Sequence, residues 1–298
     1  MKKSGIQLFL AISVGSMCLT SCENDAPIED NVIDKEVFDP NSSLNTVFDG
    51  KIFSVPSPVQ TAYLIKDLNL EFDASLGNNV DLASDYVTEY QQSLNLGVYG
   101  ADLGYSALYD QKNTTLKYLA AVQNLTSQLG LDAAFNDNFL ENFETNSEDD
   151  QKMIHLMSEA FKQADNFLKN GDRKATSAWI LTGGWIESLH FACQLNAKHP
   201  SADIKQRIGE QKQTIGSIVD ILTEYNNEGM NDQLITDIKD LKDSFDKVVM
   251  NYEYIAPETN EESRISNFRH KSSVEITEEV MKEIETKITA IRATIIKA

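Results

Sequence analysis

The sequence predicts an all-α protein. Apolar residues recur at steps of three and four through most of the chain, helix stop signals fall between these runs, and no stretch alternates with period two for long. The expected architecture is an array or bundle of about eight or nine antiparallel helices joined by short connections.

The helical elements follow in order. Ser57-Pro58 offers an N-cap with proline in the first turn, and Ile65, Leu68 and Phe72 follow at helical spacing. Met153, Met157, Ala160, Ala164 and Phe167 form a second stripe, and Ile204, Ile208, Ile215, Ile218 and Leu222 a third. Leu234, Ile238, Leu241, Phe245, Val248 and Tyr252 continue the pattern, and Val280, Ile284, Ile288, Ile291 and Ile295 close the chain. Gly130, Gly171 and His199-Pro200 punctuate these runs. No repeat of fixed period is present, so a solenoid is the lesser alternative.

Two segments depart from this pattern. From Leu94 to Tyr109, Gly97, Gly100, Gly104 and Ala107 share one helical face. Each interior glycine costs about 1 kcal/mol relative to alanine, and close approach of another backbone would offset that cost. From Ala178 to Leu195 the chain is apolar all round, with Gly183 and Gly184 in its middle, as a central helix requires. The two glycine-bearing helices are therefore expected to cross in the core.

The candidate site residues lie on these two helices. Glu187 is the only charge between Lys174 and Lys198, and a carboxylate in such a setting must be paired, hydrogen-bonded or neutral. His190 stands at i+3 from it. Glu-x-x-His is the spacing with which ferritin-like bundles bind iron, but those folds need a second such motif and two further glutamates, and only one motif is present. A Glu187–His190 pair that orders the core is the favoured reading. Asp102, Tyr105 and Tyr109 form a polar-aromatic face of the kind that binds sugars or peptides and that also packs helices. No metal or cofactor is expected, and a calcium loop is excluded at Asp39 because Leu44 and Gly50 occupy the positions of the turn glycine and the bidentate glutamate.

The chain carries 26 Lys and Arg against 46 Asp and Glu, a net charge of −20 that argues against nucleic-acid binding. One basic cluster, Arg264, Arg269, His270 and Lys271, falls in a polar stretch between Ile255 and Thr277. It reads as a solvated linker; an anionic partner is the other possibility.

The N-terminus supplies an address. Lys2 and Lys3 precede a short apolar stretch from Ile6 to Leu19, too short to span a bilayer, and Leu19-Thr20-Ser21-Cys22 follows. This run resembles the lipobox of bacterial lipoproteins, which implies cleavage before Cys22, acylation of Cys22 (palmitate among the chains) and anchoring to a membrane through that lipid. The acidic Glu23 to Asp30 segment resembles the export signal of Bacteroidetes-type surface lipoproteins, implying the outer face of the outer membrane; the periplasmic face is the alternative. The body likewise resembles the helical lipoproteins of that group, a likeness that supplies no activity. Residues 1–21 are then the signal, 22–57 an acidic flexible tether and 58–298 the helical domain. Loss of Lys2 and Lys3 leaves 24 basic residues against 46 acidic, a net charge of −22. Cys18 departs with the signal and Cys22 takes lipid, which leaves Cys193 without a disulfide partner.

With anchoring evident and no complete catalytic constellation, the expected function is binding of an envelope protein partner or a ligand, not an enzymatic one. The alternatives are a metal-dependent or hydrolytic enzyme centred on Glu187 and His190, and a structural envelope component.

Overall fold

The computed structural model describes residues 45–48, 51–54, 66, 70–132, 143, 145, 150–255, 257–260, 265–267 and 271–298. Cys22 and the Ser57-Pro58 cap lie outside them. The protein is mostly helical, and its class is all-α.

Among the described residues seven α-helices can be followed from end to end: α1 (Glu89–Leu108), α2 (Lys112–Gln128), α3 (Asp150–Asn170), α4 (Lys174–Lys198), α5 (Ala202–Glu224), α6 (Asp232–Asp246) and α7 (Glu278–Ile295). The predicted stops are used. Gly130 takes a left-handed conformation after α2, and Gly171 with left-handed Asp172 reverses the chain between α3 and α4. Thr88 and Gln91 close a capping box at the start of α1, and Ser201 and Thr277 cap α5 and α7.

The centre of the fold is the crossing of α1 and α4, and glycine makes it possible. A Cβ on Gly97 would stand 2.1 Å from the carbonyl oxygen of Ile180, and one on Gly183 would stand 1.9 Å from that of Leu94. Neither distance is physical, so the two backbones approach as closely as they do only because both side chains are hydrogen. Gly100 serves another neighbour, since its missing Cβ leaves room for the ring of Phe161 on α3.

The expectation of antiparallel neighbours fails at this central pair. Tyr90 meets Trp179, Leu94 meets Gly183 and Tyr105 meets Phe191, so the contacts advance in the same direction along both helices. α1 and α4 are parallel. Among the described residues α2 and α3 lie between them in sequence, and both run against the pair. The outer helices obey the expected rule: Ser106–Thr115 and Gln92–Gln128 place α2 antiparallel to α1, and Glu187–Arg292 and Gln194–Thr289 place α7 antiparallel to α4. α5 and α6 complete the layer beside α4 and α7, with Trp185 donating to Gln211 and Lys287 reaching Asp240.

The stripes of α5 and α7 are buried throughout. On α3, Met153, Met157, Ala160 and Ala164 face the core, but Phe167 is 41% exposed and Leu168 is buried in its place. The stripe that begins at Leu234 ends sooner than its spacing implied: α6 stops at Asp246, Val248 is still buried, and Tyr252 lies on a strand at 63% exposure.

Strands are present, contrary to the sequence reading. β1 (Asn45–Phe48) and β2 (Lys51–Ser54) form a hairpin. Phe48 is buried and tilts against Tyr225 at the end of α5. These residues belong to the folded body, so the flexible tether does not extend through residue 57. β3 (Val249–Glu253), β4 (Glu258–Asn260), β5 (Ile265–Asn267) and β6 (Lys271–Glu275) pair β3 with β6 and β4 with β5. The polar stretch taken as a linker is therefore a ribbon. The first pair runs from Val249–Glu275 to Glu253–Lys271 and the second from Glu258–Asn267 to Asn260–Ile265, both antiparallel.

Candidate functional site

Three charged side chains meet where α1, α4 and α7 converge. α4 supplies Glu187 and α1 supplies Asp102, from the parallel pair that the glycine crossing brings together; α7 lends Arg292 from the opposite direction. Arg292 binds Glu187 in a fork, Nε donating to Oε2 at 2.5 Å and Nη2 to Oε1 at 2.6 Å. Nη2 also donates to the carbonyl of Leu76 at 3.0 Å. Glu187 is 0% exposed and Asp102 1%, while the Arg292 side chain keeps 12% of its surface in solvent.

Two carboxyls beside one guanidinium leave an excess negative charge unless one is protonated. Burial raises both acids. At Asp102 the adjacent Glu187 charge adds to that effect, whereas at Glu187 the bonds and charge of Arg292 oppose it. Of the two carboxyls, Asp102 is therefore the more strongly driven to keep its proton. Its Oδ2 accepts from the backbone N–H of Asn78 at 3.2 Å, while Oδ1 has no donor among the described residues. A protonated Asp102 removes that deficit by donating to Glu187, with which it is in hydrogen-bonding contact. Burial works against the Arg292 charge, and Glu187 more than offsets it, so Arg292 holds its proton more tightly than usual.

The cluster fastens a non-helical turn segment to the helices. Tyr118 donates to the carbonyl of Asn78, Asn78 Nδ2 donates to Tyr86, and Tyr86 donates to the carbonyl of Ile296 beyond α7. Residues 76–78 thus touch α1, α2 and α7 through polar contacts. A Cβ on Gly77 would lie 2.1 Å from the Tyr118 hydroxyl, so glycine is required there as well.

The other sequence candidates divide. Asp102 belongs with Glu187, not with the tyrosines beside it in sequence. Tyr105 and Tyr109 join Phe72 and Phe191 in an aromatic cluster: the Tyr105 ring lies 5.0 Å from Phe72, 4.9 Å from Tyr109 and 5.0 Å from Phe191. Phe72 lies outside any helix. The Tyr105 hydroxyl accepts from the backbone of Asp73, and burial pushes the Tyr109 hydroxyl up to about 12. The expected polar-aromatic face is thus a packing contact over residues 72–73.

The Glu187–His190 pair does not form as expected, because Arg292 takes both carboxylate oxygens of Glu187. His190 is buried, its Nδ1 lacks a partner among the described residues, and burial followed by the Arg292 charge lowers it to about 3. It is a neutral imidazole. Cys193, one turn further, is fully enclosed, and burial raises its thiol far above the range where thiolate forms. Among the described residues no three His, Cys, Asp or Glu side chains converge on a point where a metal would sit. No described helix is long and apolar enough to cross a membrane.

Arg292 is the functional residue that the sequence reading missed. Its signal was present: it follows Ile288 by four on the buried stripe of α7, a position that an apolar residue would ordinarily fill. The chain matches no family model, no curated protein and no solved structure.

Proposed function

We propose that this chain is a lipid-anchored protein of the bacterial cell envelope, held at the outer membrane through Cys22, whose helical body binds a partner protein or ligand. The observation that carries the reading is Leu19-Thr20-Ser21-Cys22 behind a basic start and a short apolar stretch. Two or three acyl chains at one residue give an anchor that does not dissociate, since each buried methylene contributes about 0.8 kcal/mol. The acidic residues after Cys22 favour the cell surface over the periplasmic face.

The site geometry speaks against the alternative of an enzyme centred on Glu187 and His190. Glu187 is sealed and committed to Arg292, and His190 does not share a bond with it, so neither is placed to meet a substrate. Glu187 instead ties α4 to α7 through its two bonds from Arg292. Fractionation of cells bearing Cys22→Ala tests the proposal: the variant is expected to leave the membrane fraction, and protease added to intact cells is expected to degrade the parent chain. Retention of Cys22→Ala in the membrane fraction would overturn the anchor, and protection from protease would move the body to the periplasmic face.

A further inference from the structure

The turn between α1 and α2 is made by residues 109–111, with Asp110 in the left-handed conformation. A cavity of about 210 Å³ lies against this turn, and it meets solvent at Leu116, which is 55% exposed. Among the described residues its apolar wall consists of Ala107 from α1, Leu116 from α2, Met153 from α3, and Phe143 between the last two helices. Phe143 and Met153 are buried. A cavity of roughly 150 Å³ is enough to take a benzene molecule, so this one has room for a side chain of the size of leucine or phenylalanine. An aromatic ring and a thioether in its wall suit such a guest.

Two charges of opposite sign stand at the same cavity, Asp110 and Lys112. Both residues are exposed, and neither side chain forms a hydrogen bond or ion pair among the described residues, not even with the other. Lysines elsewhere behave differently: Lys198, Lys205 and Lys247 each hold a carboxylate. The helix ends add to both charges. The last turn of α1 contains no basic residue, so its negative end favours a cation. The first turn of α2 contains no acid and Gln111 supplies no side-chain cap, so its positive end favours an anion. An uncharged apolar molecule would use neither charge, a simple cation would meet Lys112, and a simple anion would meet Asp110. A molecule with both charges beside one apolar group uses the whole site.

We propose that this cavity binds a free α-amino acid with a large apolar side chain. Its ammonium pairs with Asp110, its carboxylate with Lys112 at the start of α2, and its side chain enters the apolar wall. The inference rests on the binding role proposed above and gives that role a site and a ligand class.

The test titrates the full chain in detergent solution with L-phenylalanine, N-acetyl-L-phenylalanine, L-phenylalaninamide and L-alanine by isothermal titration calorimetry. L-Phenylalanine is expected to bind. The other three lack, in turn, the ammonium, the carboxylate and the large side chain, and each is expected to bind at least about tenfold more weakly. Asp110→Asn is expected to weaken L-phenylalanine about tenfold and to leave the N-acetyl compound unchanged, and Lys112→Gln to do the same with the amide as the unchanged compound. Asparagine tolerates the left-handed conformation at residue 110, so both variants should keep the circular dichroism spectrum of the parent. No binding of L-phenylalanine at millimolar concentration, or indifference to both substitutions, would overturn the proposal. So would equal binding of the N-acetyl compound or the amide, which would assign the cavity to the end of a peptide. None of these outcomes alters lipid attachment at Cys22, read separately by mass spectrometry, so failure here is distinguishable from failure of the anchor.

Discussion

Arg292 and Glu187 are separated by 105 residues and joined by two hydrogen bonds, Nε to Oε2 and Nη2 to Oε1, with Glu187 wholly out of solvent. The pair locks the last helix of the chain onto the central one. Removing one partner leaves the other charge buried without compensation. Glu187→Ala or Arg292→Ala is accordingly expected to cost about 3–5 kcal/mol in urea unfolding, while Glu187→Leu with Arg292→Met is expected to cost much less than the two single losses combined.

The pKa of Asp102 is raised well above the ordinary carboxylate range by burial and by the Glu187 charge. Above the unfolded value the native state then binds more protons than the unfolded chain, so this group lowers stability as pH rises until its folded pKa is reached. Asp102→Asn keeps the neutral form at every pH. Thermal melts should show the variant gaining most on the parent near pH 7, with the gain shrinking toward pH 4; a gain independent of pH would contradict the protonation assignment.

His190 acts with the opposite sign. Its value falls from 6.5 to about 3 on folding, so between these limits the unfolded chain binds the extra proton, and stability drops as pH falls. The contribution is at most about 5 kcal/mol. His190→Gln should flatten the acid limb of the stability profile between pH 6 and pH 3, and an unchanged limb would show that His190 is not the group responsible. From about pH 4 downward Asp73, lowered to about 2 chiefly by its hydrogen bond from Lys198, adds to the decline.

Glycine substitutions separate close packing from helix propensity. Gly97→Ala and Gly183→Ala force a methyl into a carbonyl oxygen, and each is expected to destabilise by roughly 3 kcal/mol or more. Gly216, on α5, has nothing within 4 Å of an added Cβ. Gly216→Ala should stabilise by about 0.5–1 kcal/mol, so a melt of all three variants gives shifts of opposite sign.

Cys193 lies at the same core, enclosed and with its thiol pushed up by burial. Its alkylation is expected to proceed no faster than global opening of the fold, and to accelerate in the Gly183→Ala variant. Rapid labelling of the native parent chain would place a channel beside α4.

The parts legible in sequence were those set by local pattern. Amphipathic stripes at Ile204–Leu222 and Val280–Ile295 specified buried helix faces, and the glycines at 97 and 183 implied the crossing because an interior glycine in a helix needs a reason. Glu187 stood out as a lone charge in an apolar helix. Its partner did not, because periodicity identifies a face without saying what opposes it, and Arg292 lies on another helix far along the chain. The parallel sense of α1 and α4 is similarly non-local, seen only in contacts such as Leu94–Gly183 and Tyr105–Phe191 between helices far apart in the chain. β3 was hidden because Val248 and Tyr252 prolong the rhythm of α6, and a strand of five residues is too short for alternation to compete with it.

The anchor remains the claim on which the functional account depends, and intact mass spectrometry of the protein purified from membranes tests it most directly. The predicted result is a chain that begins at Cys22, lacks residues 1–21 and carries the added mass of its acyl groups. A chain that retains its first 21 residues, or begins elsewhere without lipid, would contradict it.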